Sequence, residues 1–441
     1  MSWKAEYIIW IIISTIITYV VGIKIYNSTS VKQKKMYLLV SLLSSAGMLF
    51  VFKYFNFFSD SVRTILEQFS IQLNPITLKI LLPVGISFYT FKTISYTIDV
   101  YRGEIEPQKH LGIFAVYISF FPQLIAGPIE RARSLLPQLY EIHYFEYQRV
   151  TDGLKLMLWG FFKKVVIADG LALVVDKVFN NVHDYTGTSL LLATFFFAFQ
   201  IYGDFSGYSD IATGSAQIMG IKSMDNFKRP YFSRSISEFW KRWHISLSSW
   251  FKDYLYIPLG GNRVSIPRWY LNLLIVFIVS GLWHGAKWTF AVWGALHGFY
   301  LVFEIITKPF KNRLLQITRM ARFPKVIQVL EIGFTFILVN IGWIFFRAKS
   351  LSDAKYVFTN MFKELSFNIT KLNLGLSWIH FSYLLGLIGF LIFVDLLQER
   401  TKTRSLSDKT KLVRWIFYLI ITVLILLLGM FDKTEFIYSI F

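Results

Sequence analysis

A histidine set among small residues inside an apolar run is where this 441-residue chain first suggests chemistry. Ser280-Gly281-Leu282-Trp283-His284-Gly285 lies in the run from Trp269 to Ile306. Bilayer hydrocarbon tolerates ionisable groups poorly, so such a residue faces the protein interior or a wet cavity and often marks function. A neutral imidazole, whose unperturbed pKa is about 6.5, can take a proton from a hydroxyl that attacks an acyl carbonyl. The glycines let another backbone, or a substrate, come close. A second unusual stretch lies upstream, Phe239-Trp240-Lys241-Arg242-Trp243-His244-Ile245-Ser246-Leu247-Ser248, and it runs on to Tyr256-Ile257-Pro258-Leu259-Gly260-Gly261-Asn262-Arg263. We read the two stretches as one active site inside a membrane protein.

The remaining histidines weigh differently. His244 sits beside Trp240, Trp243 and Ser248, where packing among aromatic rings and a chemical role are both open. His297 follows His284 by thirteen residues. On a continuous helix that is roughly 220° around the axis, so the two would not share a face; a helix–helix hydrogen bond is the alternative to chemistry for His297. His110, His143, His183 and His380 fall at predicted loops or span ends and read as boundary polar residues. Lys241, Arg242 and Arg263 could hold an anionic donor, although retained positive charge and lipid headgroups are the stronger explanation for any one of them. Several other chemistries have no matching pattern. There is no Gly-x-Ser-x-Gly elbow, no His-Glu-x-x-His zinc motif, no phosphate-binding P-loop and no histidine followed five positions later by aspartate.

The elements that must carry these residues are membrane helices. The chain is 54% hydrophobic, 18% aromatic and 17% charged, with mean hydropathy +0.48. Long apolar runs recur over its whole length, as in a polytopic all-α membrane protein. The net charge of +19 is explained by Lys and Arg retained on the cytoplasmic side, without nucleic acid. With no cysteine, disulfides, thiolate metal sites and cysteine acyl intermediates are excluded.

Hydropathy and loop charge predict ten full spans plus one broken segment, with both termini outside. The spans are Tyr7–Tyr26 (uncleaved), Met36–Phe55, Pro75–Tyr96, Leu154–Phe179, Leu190–Gly220, Trp269–Leu282, Trp288–Ile306, Val326–Phe346, Trp378–Leu397 and Trp415–Met430. Leu111–Ile129 is interrupted by Pro122, Gly127 and Pro128 and is expected to be re-entrant or broken. Asp204-Phe205-Ser206-Gly207-Tyr208-Ser209-Asp210 is too polar for lipid and should line the interior, while Lys163, Lys164 and Asp169 put one face of their span against protein. Lys222–Arg268 has nine Lys and Arg against Asp225, Glu238 and Asp253 and is predicted cytoplasmic. Ser235 and Glu238 form a capping box that opens an amphipathic helix with Phe239, Trp243 and Trp250 near one face. This topology puts the His244 segment in the cytoplasm and His284 toward the outer half, so a path between them would cross the bilayer.

Five stretches together resemble the membrane-bound O-acyltransferase family, in particular its bacterial alginate O-acetyltransferase branch. They are Phe120-Phe121-Pro122-Gln123-Leu124-Ile125-Ala126-Gly127-Pro128-Ile129, the stretch from Asp204 to Ala212, the stretch from Arg229 to Trp240, Lys241-Arg242-Trp243-His244-Ile245-Ser246-Leu247-Ser248, and Gly281-Leu282-Trp283-His284-Gly285-Ala286. The resemblance covers about residues 82–347 of a single integral-membrane domain, 1–441. It implies a ring of tilted helices around a funnel, with His284 catalytic, and His244 is the second candidate. Candidate substrate-binding residues are Trp283, Trp243, Arg242, Asn262, Arg263, Asp204, Ser206 and His297. No metal and no permanently bound cofactor is expected. The resemblance further implies an acyl donor reached from the cytoplasm, acetyl-CoA or an acyl carrier, a polysaccharide acceptor outside, and a separate extracytoplasmic acetyltransferase partner, all at a bacterial cytoplasmic membrane. Two alternatives stay open, D-alanyl transfer to teichoic acid and a non-catalytic polysaccharide or lipid transporter.

Overall fold

The computed structural model describes residues 8–72, 77–366 apart from 79, 81 and 84, 374, 377–401 and 410–431. Among these residues all regular structure is helical. In chain order the helices are α1 (Ile8–Asn27), α2 (Val31–Leu49), α3 (Phe55–Glu67), α4 (Ile86–Arg102), α5 (Leu111–Ser119), α6 (Ala132–Gln138), α7 (Tyr147–Phe161), α8 (Asp169–Asn180) and α9 (Gly187–Ile218). There follow α10 (Ile236–Arg242), α11 (Ile245–Phe251), α12 (Ile266–His284), α13 (Trp288–Ile317), α14 (Pro324–Arg347), α15 (Leu351–Asn360), α16 (Trp378–Thr401) and α17 (Lys411–Leu428).

Eight of these rods are long and apolar enough to cross a membrane. The two other predicted spans are present as helices of different character. α4 is polar and buries most of its residues, and α7 runs through a π-helical segment, Phe162–Ala168, straight into α8. α9 is 83% buried over its most apolar window and α17 only 6%, so α9 is the central post and α17 a peripheral one. The many exposed Ile, Leu and Phe side chains on α1, α2, α14 and α17 suit a lipid-facing surface.

The differences from the sequence reading are local and have physical causes. α2 begins at Val31, so Lys32, Lys34 and Lys35 lie on its first turns and the connection shrinks to Ser28–Ser30. α2 does not end near Phe55. It passes through a π-helical turn, Phe50–Tyr54, into α3, and Val31–Glu67 is one 37-residue rod in place of an external loop from Asn56. The start expected at Pro75 lies outside the described residues, and the third span is seen as Ile86–Arg102. α13 continues to Ile317, which shortens the predicted Thr307–Lys325 loop.

As expected, the Leu111–Ile129 segment breaks. α5 stops at Ser119, and a single 3-10 turn follows at Phe121–Gln123. The predicted amphipathic helix after Ser235 does not form as one piece. Ser235 Oγ accepts from Glu238 N at 3.2 Å, but the helix ends at Arg242, and His244 takes left-handed φ/ψ of 41° and 56°. Phe239 and Trp243 therefore join one aromatic cluster and Trp250 another.

Close backbone approach holds the centre together. α7 and α9 cross with Gly160 against the Gly207 carbonyl and Gly153 against the Gly214 carbonyl, where an added Cβ would sit 2.7 and 2.8 Å from oxygen. Small residues at such a crossing let helices in an apolar medium gain packing energy. The π-helical segment turns two successive lysines inward between these helices. Lys163 Nζ pairs with Asp210 at 2.7 Å and donates to Ser206 Oγ at 2.8 Å. Lys164 Nζ pairs with Asp204 at 2.7 Å and Asp169 at 2.8 Å. The polar stretch of α9 thus lines the interior, as expected.

Removing one partner of a buried pair leaves a charge stranded and costs about 3–5 kcal/mol. Lys164→Ala, which removes one cation from two buried carboxylates, should lower the thermal unfolding midpoint of the detergent-solubilised protein more than Asp204→Asn, which leaves the Lys164–Asp169 pair in place. Equal midpoints for native and Lys164→Ala would show that the pairs add no stability.

Candidate active site

Helix α12 ends on the histidine itself. Gly281 lies against the Phe290 carbonyl and Gly294 against the Phe277 carbonyl, with no room for a Cβ at either contact. The glycines thus admit the backbone of α13, and the two helices form a tight hairpin. Gly285 leaves the helix with extended φ/ψ of −165° and 149°, and its Cα faces the Phe290 ring. The turn is complete by Lys287, and α13 begins at Trp288.

His284 is 2% exposed and boxed by rings. Trp293 stands perpendicular to it with ring centres 5.0 Å apart, and Phe346 of α14 lies at 5.4 Å. Trp283 points to the other side, stacked on Phe91 at 5.2 Å, and Phe91 stacks in turn on Trp250 at 4.0 Å. That stack ties α12 to α4 and α11.

His244 faces His284 across 6.4 Å between ring centres, and Trp283 lies 6.0 Å from it. The topology read from the sequence set the His244 segment in the cytoplasm and His284 toward the outer half of the membrane; the structure removes that separation and brings the two stretches together, as one site requires. The chain breaks after Arg242 and turns His244 into the bundle, where the residue is fully buried with Phe205 perpendicular at 4.6 Å. Left-handed geometry at a non-glycine residue costs on the order of 1–3 kcal/mol and persists only where surroundings impose it. Here the backbone of Asn226–Lys228 holds it on both sides. Ile245 N donates to Asn226 O at 3.0 Å and Lys228 N to Arg242 O at 2.9 Å.

Asn226 is the residue that sequence reasoning missed. Its Nδ2 donates to Ser209 Oγ at 3.1 Å and to the Gly127 carbonyl at 3.5 Å. A carbonyl only accepts, which fixes the amide orientation and turns Oδ1 toward His244. Oδ1 then accepts from Ser246 Oγ at 2.9 Å, Ser246 N at 3.3 Å and His244 Nδ1 at 3.1 Å. With its proton on Nδ1, His244 carries its lone pair on Nε2, a buried atom with no hydrogen-bond partner among the described residues. Asn226 thereby joins three of the stretches singled out above, through Gly127, Ser209 and His244. In sequence it is one asparagine in a basic segment, with no periodicity to mark it.

The other candidates divide into two groups. His297 and Trp243 lie beside the centre. His297 is fully buried, with Trp293 at 5.1 Å, Trp240 at 5.1 Å and Phe239 stacked at 6.3 Å. Neither of its ring nitrogens has a hydrogen-bond partner among the described residues, so the helix–helix hydrogen bond considered for it is not found there. The interruption of the helix at residues 285–287 lets Trp293 touch both His284 and His297. Trp243 packs on Trp343 at 5.0 Å and Phe227 at 5.0 Å.

Five candidates are engaged or placed elsewhere. Asp204 and Ser206 are occupied by Lys164 and Lys163. Arg242 pairs with Glu238 at 2.7 Å and Glu399 at 3.1 Å, so it is not an isolated anion receptor. Asn262 and Arg263 are exposed on the connection before α12, outside the buried aromatic box. The four boundary histidines have partners away from the two central imidazoles; His110 caps α5, accepting from Ile113 N at 3.3 Å, and His183 lies 3.4 Å from Asp353.

Comparison with known proteins places these stretches in context. Residues 109–346 match the family model described as MBOAT, membrane-bound O-acyltransferase family. "Probable alginate O-acetylase AlgI" of Azotobacter vinelandii is 40% identical over 373 residues, covering 84% of this chain and 72% of that protein. The peptidoglycan O-acetyltransferase of Helicobacter pylori is 35% identical over 387 residues, 81% of this chain and 71% of that protein. The teichoic acid D-alanyltransferase of Bacillus subtilis is 29% identical over 254 residues, 52% of this chain and 61% of that protein.

A buried donor stripped of its acceptor costs about 1–3 kcal/mol. Asn226→Leu keeps a similar volume but removes the acceptor for three donors, and it should lower the unfolding midpoint of the solubilised protein clearly. Asn226→Ser, whose hydroxyl oxygen can still accept, should lose less. Native midpoints in both variants would rule out the hub.

Proposed function

Because the chain belongs to the membrane-bound O-acyltransferase family, we propose that it transfers an acetyl group from cytoplasmic acetyl-CoA toward a hydroxyl of an extracytoplasmic polysaccharide, with His284 as the base. It is a multi-pass membrane protein and an O-acyltransferase. The observation that carries the mechanistic reading is the pair of buried imidazoles, His284 and His244, facing each other across 6.4 Å inside an aromatic box.

In this reading the acceptor hydroxyl gives its proton to the His284 imidazole as its oxygen attacks the acetyl thioester carbonyl. The C–O bond forms, the C–S bond breaks, and the proton passes from imidazolium to the leaving thiolate. His244, whose Nε2 has no hydrogen-bond partner among the described residues, positions the acceptor or donor. Ring walls exclude bulk water, which would otherwise compete as a nucleophile. Trp283, Trp243 and His297 shape the enclosure in this proposal.

The donor side and the partners rest on supporting observations. The Lys222–Arg268 segment that contains His244 is strongly basic, which suits an anionic donor arriving from the cytoplasm. The alginate and peptidoglycan relatives align over most of the chain at higher identity than the D-alanyl relative, which favours acetyl over D-alanyl as the group moved. A separate extracytoplasmic acetyltransferase that receives the group, a bacterial cytoplasmic membrane and a single working unit over residues 1–441 complete the proposal.

General-base catalysis contributes about 100- to 10,000-fold. Membranes carrying the native chain should move labelled acetyl from acetyl-CoA to an acceptor, and His284→Ala, at equal folded amount, should do so at least 100-fold more slowly. Native-rate transfer by His284→Ala would remove His284 from the chemistry. Turnover of a carrier-bound D-alanyl thioester in place of acetyl-CoA would select the D-alanyl reading, and glycan movement without acyl turnover the transporter reading.

A further inference from the structure

A helix that ends at residue 284 leaves the carbonyls of its last turn without intrahelical partners. Among aromatic rings, away from water, each needs a donor from elsewhere. Three of them, those of Leu282, Trp283 and His284, accept hydrogen bonds from two adjacent residues of the N-terminal rod. Lys53 Nζ donates to the Trp283 carbonyl at 2.7 Å and to the His284 carbonyl at 3.2 Å. Tyr54 OH donates to the Leu282 carbonyl at 2.9 Å. Both residues sit in the π-helical turn Phe50–Tyr54, whose wider winding sets successive side chains closer in angle than an α turn does. Such turns recur at functional sites.

The contact continues past the turn. The Phe57 ring meets the Trp288 ring at 5.3 Å, and Trp288 Nε1 donates to Ser61 Oγ at 3.1 Å. Residues 53, 57 and 61 recur at four-residue spacing and share one face of the rod. This face grips the last turn of α12 on one side of the 285–287 bend and the first residue of α13 on the other. The ammonium of Lys53 also suits the negative end of the α12 dipole. None of these gripping residues lies within 109–346, the part of the chain that matches the family model.

We infer that Lys53 and Tyr54 are positioning residues for His284, acting through the terminal carbonyls of α12. The inference rests on the reading of His284 as the base. In this arrangement Lys53 holds the helix end that aims the imidazole. A displacement of about 1 Å at a catalytic group can cost on the order of 100-fold in rate.

The test uses the full chain in membranes, radiolabelled acetyl-CoA as probe, and kcat and KM for acetyl-CoA in native, Lys53→Met, Lys53→Arg, Tyr54→Phe and His284→Ala proteins. Expected are a kcat for Lys53→Met lower by about 10- to 100-fold with KM within about twofold of native, and substantial recovery in Lys53→Arg, whose guanidinium can again donate to two carbonyls. Tyr54→Phe keeps the ring, loses one hydrogen bond and should lower kcat several-fold; it carries the test if Lys53→Met fails to fold. Native kcat in both Lys53→Met and Tyr54→Phe, or a raised KM at native kcat, overturns the inference. His284→Ala separates the two failures. If it keeps transfer, the base assignment falls; if it abolishes transfer while Lys53→Met is native, only the positioning role falls.

Discussion

Helix α12 must stop beside the group it presents, and stopping a helix away from water leaves carbonyls that other parts of the chain have to satisfy. Much of the molecule is arranged around that constraint. Gly281 and Gly294 bring α13 back along α12, Gly285 lets the chain leave the helix under the Phe290 ring, and the π-helical turn of the N-terminal rod supplies an ammonium and a phenol to the exposed carbonyls. Polar groups here are few, and each is held from a distance in sequence. Lys53 and Trp283 are 230 positions apart.

The partner histidine is placed by the opposite device. His244 is presented by a break between two short helices, in a backbone conformation that a histidine does not adopt cheaply. Asn226 makes that break stable by accepting from three groups of the His244–Ser246 corner while donating to Gly127 and Ser209. Behind this corner stands the α7–α9 post, cross-braced by the Lys163 and Lys164 pairs. Rigid aromatic walls, one fixed tautomer and a braced post suit the proposed acyl-transfer centre, whose geometry must hold while water is excluded.

Much of this was legible from residue types. The spans followed from apolar runs; the break after Ser119, from Pro122 and Pro128; the inward face of α9, from Asp204, Ser206 and Asp210, which lipid cannot accept. The Gly-Leu-Trp-His-Gly stretch was read as a site of close backbone approach, and α13 occupies that approach. What misled was the assumption that charge and periodicity persist locally. Lys32 and Lys34 looked like loop residues but lie on the first turns of α2, and Phe239, Trp243 and Trp250 looked like one helix face but are divided by His244.

Sequence alone determined that this is an all-helical membrane protein, which stretches carry its polar and aromatic residues, and that His284 sits where an ionisable group must be protected. Those properties are local, because hydropathy, proline and glycine act within a few residues of themselves. Tertiary structure alone decided how His244 and His284 meet, that Asn226 sets the tautomer of one and the N-terminal rod the helix end of the other, and that Arg242 is engaged by Glu238 and Glu399 while Asn262 and Arg263 are exposed. Each of these depends on a contact between segments far apart in the chain, and such a contact exists only once buried polar groups have competed for the few partners the folded bundle offers.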